Sequence, residues 1–145
     1  MQEEIFLSND VVLEKDMINL FLDNCLDKFK NILNEKEIRI YSFEFPVEYS
    51  GQKGKIDLIL EIVKDGNIYN RENPLLIIEF KKDKINHGPV DQLSFYMKNI
   101  GQRLYRPNVF GFLAAPDFSY HEIEEAKKNN FRCIKFDTKG HIQLI

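Results

Sequence analysis

Apolar residues recur along this chain at two spacings, and each change of spacing marks a new element. Val12, Leu13, Met17, Leu20 and Phe21 fall three or four apart behind Ser8-Asn9-Asp10, which supplies N-cap candidates for a first helix. Leu26, Phe29, Ile32 and Leu33 continue the helical period in a second, shorter stretch. From Glu37 to Tyr49 the period falls to two, with Ile38, Ile40, Phe43, Phe45 and Val47 in near alternation, and Pro46 marks that strand as an edge or a bend. Residues 51–54 form a turn into a strand over Lys55–Val63. Lys64-Asp65-Gly66-Asn67 is a hairpin signal, with a return strand at Leu75–Lys81 if the connection extends to Pro74.

Gly88-Pro89 opens a third helix, whose apolar stripe is Val90, Leu93, Met97 and Ile100 and whose C-cap is expected at Gly101. Val109–Ala114 reads as a buried strand. Ser119-Tyr120-His121-Glu122 is a capping box opening a helix that ends near Asn129-Asn130. Phe131–Phe136 and His141–Ile145 are two final strands around Lys139-Gly140. The predicted class is α/β: an αβββαβ core with a central mixed sheet flanked by helices, followed by a further helix and terminal strands.

Composition narrows the reading. The 145 residues fit one domain, and 43% apolar with 30% charged residues is ordinary for a globular protein. No apolar run approaches bilayer-spanning length and no basic-then-apolar leader opens the chain, so a cytoplasmic location without membrane contact is expected. Cys25 and Cys133 lie far apart and read as buried, reduced thiols. His87, His121 and His141 lack zinc-ligand spacing.

The net charge of −3 argues against a general nucleic-acid coating protein. It is unevenly spread, however. Residues 1–30 hold seven acids against three lysines, whereas residues 80–106 hold six basic residues against two acids. A polyanion would meet the chain through the second segment, where Lys82, Lys84, Arg103 and Arg106 are candidate phosphate contacts. A solvated charged face is the ordinary alternative.

The chemistry sits where two oily strands acquire charge. Asp57 follows Gly54-Lys55-Ile56, and Glu79 and Lys81 close the run Leu75-Leu76-Ile77-Ile78. Glu79 and Lys81 are two apart and share a strand face. Burying such groups is costly unless something pairs with them. Two carboxylates can hold a divalent cation such as Mg²⁺ or Mn²⁺, with the Phe80 backbone carbonyl as a further oxygen, and a lysine beside them can serve a water or a phosphate. The competing reading is a surface ion pair of Glu79 with Lys81 or Lys82, against which stand the four apolar residues before Glu79. Gln92 and Tyr96, four apart, share one face of the third helix. Tyr96 could equally be a partly buried tyrosine with a satisfied hydroxyl.

Gly54-Lys55-Ile56-Asp57 followed by Glu79-Phe80-Lys81 resembles the PD-(D/E)XK nuclease superfamily. Gln92 and Tyr96 match the Q-x-x-x-Y pattern of its RecB-like and NucS-like branches, and Glu14 matches the acid of the first core helix. Residues 114–119 are similar to the segment after the fifth element in NucS-like domains. The resemblance covers about Asp10 to Phe136. It implies a restriction-endonuclease-like fold, Asp57 and Glu79 as metal ligands, and Lys81 as the catalytic lysine. It further implies Glu14 as an auxiliary acid, and Gln92 and Tyr96 as residues that contact substrate or brace the site. Ile56 replaces the literal proline, and the arginine common near the aspartate in RecB-like members is missing. The additional N-terminal domain of NucS-like enzymes, which serves dimerisation and DNA binding, has no counterpart in these residues.

The expectation is therefore a Mg²⁺- or Mn²⁺-dependent nuclease acting on DNA (single-stranded, duplex or branched), endonuclease rather than exonuclease, in repair or defence. It would work alone, as a homodimer or within a larger complex. The alternatives are a non-catalytic nucleic-acid-binding or protein-interaction module on the same fold, or a nuclease subunit that needs a partner.

Overall fold

A computed structural model describes residues 14–49, 51–80 and 87–145; the side chains of residues 14, 15, 49, 52 and 87–92 lie outside that description. The proposed cap at Ser8-Asn9-Asp10 falls outside it as well. The elements are α1 (Glu14–Asn24), α2 (Leu26–Ile32), β1 (Ile38–Tyr49), β2 (Gln52–Ile62), β3 (Leu75–Phe80), α3 (His87–Arg103), β4 (Val109–Ala115), α4 (Tyr120–Lys128), β5 (Arg132–Phe136) and β6 (Ile142–Leu144). All six strands join one sheet in sequential order. β1, β2 and β3 pair antiparallel, β3, β4 and β5 pair parallel, and β6 returns antiparallel on β5. This is a mixed α/β sheet of the restriction-endonuclease-like type, and β1 lies at an edge, where Pro46 is tolerated. Among the described residues, no helix is long and apolar enough to cross a membrane.

Two apolar layers explain why the helices sit where they do. On one face Met17, Ile18, Phe21 and Phe29 of α1 and α2 meet Leu58, Leu60, Ile78, Phe80 and Phe136. Phe21 is the hub, edge-on to Phe29, Phe80 and Phe136 at 5.5–5.7 Å between ring centroids. Each such pair contributes about 0.5–1.5 kcal/mol beyond area burial. These rings clamp the C-terminal ends of β3 and β5 beneath the helices. On the other face Leu93, Tyr96 and Ile100 of α3, with Ala126 of α4, cover Ile59, Leu75, Ile77 and Leu113. Gly111 lets α3 approach: a Cβ there would stand 2.6 Å from Met97 Sδ and 2.9 Å from the Phe131 ring.

Termini and turns mostly follow the local chemistry. Ser119 and Glu122 form the reciprocal capping box. The β2–β3 connection turns at Asp65 and Gly66, both with positive φ, and the Asn67 N–H donates to the Lys64 carbonyl at 3.0 Å. There are two exceptions: β2 already begins at Gln52, inside the turn expected over residues 51–54, and the end of α3 lies further on than expected. The helix runs past Gly101, and Tyr105 takes the left-handed position at φ 53° while the Arg106 N–H donates to the Gly101 carbonyl at 3.0 Å. That Schellman closure makes Gly101 the third residue from the helix end rather than its cap. Cys25 and Cys133 are buried free thiols, and burial pushes the Cys133 thiol up to about 11.

Candidate functional site

Strand β2 pairs with both neighbours, but not over the same span. Its register with β3 ends at Leu58 opposite Ile78, while its register with β1 continues to Gln52. β3 meanwhile stays paired with β4 as far as Phe80 opposite Ala114. The two strands therefore part just where the charged residues begin. Strict alternation also breaks there, because Ile56 packs under α3 while Leu58, two residues on, packs under α1 and α2.

Asp57 and Glu79 close the gap with side chains instead of backbone. Glu79 Oε1 accepts the Asp57 N–H at 3.0 Å, and Asp57 Oδ2 accepts the Phe80 N–H at 2.8 Å. Both carboxylates are almost fully buried, at 5% and 4% exposure. The crossed bonds satisfy two amides that would otherwise be orphaned where the ladder stops. They also hold two acids side by side at the end of a central strand. Among the described residues, no group of three or more His, Cys, Asp or Glu side chains could hold an ion.

Tyr96 of α3 lies against Gly54 at the start of this stretch of β2. It is 2% exposed, and a Cβ on Gly54 would lie 2.8 Å from its hydroxyl. Glycine at the head of Gly54-Lys55-Ile56-Asp57 is thus what allows α3 to seat Tyr96 against β2. The other expected residues are placed less fully. Glu14 is the first residue of α1 and Gln92 lies in the first half of α3, with side chains beyond the description. Lys81, Lys82 and Lys84 lie outside the described residues.

Arg103 projects from the last turn of α3 over the Phe45 ring, 5.2 Å to the centroid, and donates to the Pro46 carbonyl at 3.2 Å. Arg106 is a correction to the expected phosphate contacts. Its side chain is 8% exposed and its guanidinium is engaged inside the protein, 2.9 Å from Glu61 Oε2 and 3.1 Å from the Asn73 carbonyl.

Glu61 is the functional-looking acid that pattern reading overlooked. It is fully buried and receives Arg39 Nε at 2.6 Å, Arg106 and Asn73 Nδ2. Burial raises its pKa and is outweighed by those hydrogen bonds, so the carboxyl titrates below its ordinary value. With every partner supplied from within the fold, this cluster is a structural tie between β1, β2 and the α3–β4 turn. The signal for it was an acid between Leu60 and Ile62 in a strand otherwise oily from Leu58 to Val63.

Sequence comparison finds no matching family model and no matching curated protein. Comparison of the fold does find relatives. A repair endonuclease from Pyrococcus abyssi superposes with a TM-score of 0.62 at 23% identity, over 87% of this chain and 47% of that one. EndoMS in a complex with dsDNA superposes with a TM-score of 0.60 at 17% identity, over 90% of this chain and 48% of that one. The chain thus shares its fold with NucS/EndoMS-type repair endonucleases and spans about half the length of the structures it matches.

Proposed function

We propose that this chain is a metal-dependent nuclease domain that hydrolyses phosphodiester bonds in DNA. The observation that carries the reading is the crossed pair of buried carboxylates, Asp57 and Glu79, at the parting of β2 and β3. The fold shared with two DNA-acting proteins supports it. The donor set suits a hard cation. Ionised carboxylates offer about four acceptor sites each, and Mg²⁺ or Mn²⁺ takes oxygen ligands from one or two carboxylates, a backbone carbonyl such as that of Phe80, water and substrate phosphate. When bound, the ion would polarise a phosphoryl oxygen and make water more acidic.

The chain's own residues would do the rest. Asp57 and Glu79 supply the negative charge that retains the cation, and their crossed bonds fix its ligands without a search over rotamers. Lys81, two residues past Glu79, would orient the attacking water or steady the charge that develops as its oxygen bonds to phosphorus. The ester oxygen leaves and takes up a proton, so one water is consumed per cut. Glu14 would act as the auxiliary acid, and Gln92 and Tyr96 would contact substrate or brace the site.

The test is cleavage of labelled single-stranded, duplex, mismatched and branched DNA, and of RNA, with Mg²⁺, Mn²⁺ or EDTA. Metal-dependent cutting that Lys81→Ala abolishes establishes the nuclease. Tight nucleic-acid binding with no cutting under any condition replaces it with the non-catalytic binding module.

A further inference from the structure

Beyond Tyr96, the end of α3 carries the polar residues Asn99 and Arg103. Residues 92, 96, 99 and 103 follow one another at spacings of four, three and four, so they fall on one stripe of the helix. Arg103 NH1 reaches Asn99 Oδ1 at 3.4 Å along that stripe. The stripe leads away from the acid pair into a cleft of about 500 Å³ between α3 and the β1–β2 hairpin. Pro46, Val47 and Glu48 of β1 and their neighbours Lys53 and Gly54 on the paired strand β2 line it from the sheet, and Asn99 and Arg103 line it from α3.

The cleft has the chemistry of an anion seat. Lys53 and Arg103 bring two cations against the single carboxylate of Glu48. Arg103 is held in place by the Pro46 carbonyl and the Phe45 ring, which restricts the side chain before any ligand arrives. Lys53 and Glu48 are cross-strand partners and both are exposed. Neither forms a hydrogen bond or ion pair among the described residues. Gly54 lines the cleft and leads along β2 to Asp57, roughly 10 Å at the rise of an extended strand. That is a distance a nucleic-acid strand covers in a few nucleotides.

We propose that this cleft seats a backbone phosphate of the same DNA strand that is cut at Asp57 and Glu79, with Lys53 and Arg103 as the phosphate contacts and Asn99 as a polar neighbour. The inference rests on the nuclease reading and adds to it the direction in which the substrate strand leaves the site, past Gly54 and Lys53 of β2 and the end of α3. Glu48 sets a limit on affinity, because its carboxylate faces the same ligand.

The experiment is anisotropy of short fluorescein-labelled single-stranded and duplex DNA with the intact chain in EDTA, over a range of salt, beside cleavage rates in Mg²⁺. The variants are Lys53→Gln, Arg103→Gln and Glu48→Gln, with circular dichroism as the fold control. Lys53→Gln and Arg103→Gln are expected to weaken binding roughly 5-fold or more at low salt, each reducing the salt slope by about 0.7–0.9. Both should raise KM and leave kcat at saturating DNA within about twofold. Glu48→Gln is expected to move binding the other way, which a loss of packing would not do. Binding and KM unchanged within about twofold in Lys53→Gln and Glu48→Gln overturn the cleft assignment while leaving the nuclease intact. If the wild type cuts nothing but the opposite shifts of Lys53→Gln and Glu48→Gln appear, the cleft stands as a DNA seat and the nuclease reading falls instead.

Discussion

Asp57 and Glu79 hold each other's strands together: Glu79 accepts the Asp57 N–H and Asp57 accepts the N–H of Phe80, at 3.0 and 2.8 Å. The acids proposed to bind metal are therefore also structural, and this changes how their variants should be made. Asp57→Ala removes a charge and in addition strands the buried Phe80 amide, which costs about 1–3 kcal/mol. Asp57→Asn keeps an acceptor oxygen in place. Urea unfolding should show the alanine variant less stable than the asparagine variant by that margin, and equal stabilities would mean the crossed bonds contribute nothing.

A cation bound between two carboxylates should stabilise the folded chain. Mg²⁺ or Mn²⁺ at 100 times its Kd adds about 2.7 kcal/mol by mass action. Thermal denaturation should accordingly show Tm of the wild type rising with either ion. The same titration of a chain carrying both Asp57→Asn and Glu79→Gln should be flat, and a rise of similar size there would place the ion elsewhere.

Gly54 and Tyr96 should be energetically coupled. Gly54→Ala would push a methyl to 2.8 Å from a hydroxyl whose ring is buried and cannot swing aside. Overpacking of this kind costs about 1–3 kcal/mol. Tyr96→Phe removes the clashing oxygen, so the double variant should recover part of that loss. A double-mutant cycle checks it, and strict additivity would show that the two do not meet in solution.

Acid should weaken the fold through Glu61. The carboxyl titrates below its ordinary value of 4.5 because Arg106, Arg39 and Asn73 bond its ionised form. A group depressed in the folded state contributes stability above its unfolded pKa and loses it as pH falls through the folded one. Stability should thus decline below about pH 4.5, with a shallower decline in Glu61→Gln over the same window. Arg106→Ala, which removes the most buried cation from Glu61 while Arg39 and Asn73 remain, should cost about 1–3 kcal/mol at neutral pH. Arg39 is 36% exposed, so Arg39→Ala should cost clearly less. Parallel pH profiles of wild type and Glu61→Gln would contradict the assignment.

Much of this molecule is legible in its sequence because local signals agree with the final packing. The capping box at Ser119 and Glu122, the Asp65-Gly66 turn and the oily run Leu75-Leu76-Ile77-Ile78 each state their structure within a few residues. Asp57 and Glu79 were legible as a pair because charge at the end of a buried strand has few innocent explanations. What stayed hidden depends on contacts between distant segments. Arg106 looked like one more surface cation in a basic stretch, and only folding brings it to Glu61, 45 residues away. Gly101 looked like a helix end, but closure at Tyr105 carries α3 one turn further. The cleft over Lys53 and Arg103 likewise needs the hairpin and the helix brought together before it exists.

Asp57 and Glu79 are proposed to serve a metal-dependent cut in DNA. Single-turnover cleavage with enzyme in excess, across Mg²⁺ and Mn²⁺ titrations, compares the wild type with Asp57→Asn and Glu79→Gln at matched circular dichroism. That role requires cutting that EDTA abolishes and that each variant lowers by on the order of 100-fold or more. Folded variants that cut at the wild-type rate, or wild-type cutting that persists in EDTA, would contradict it.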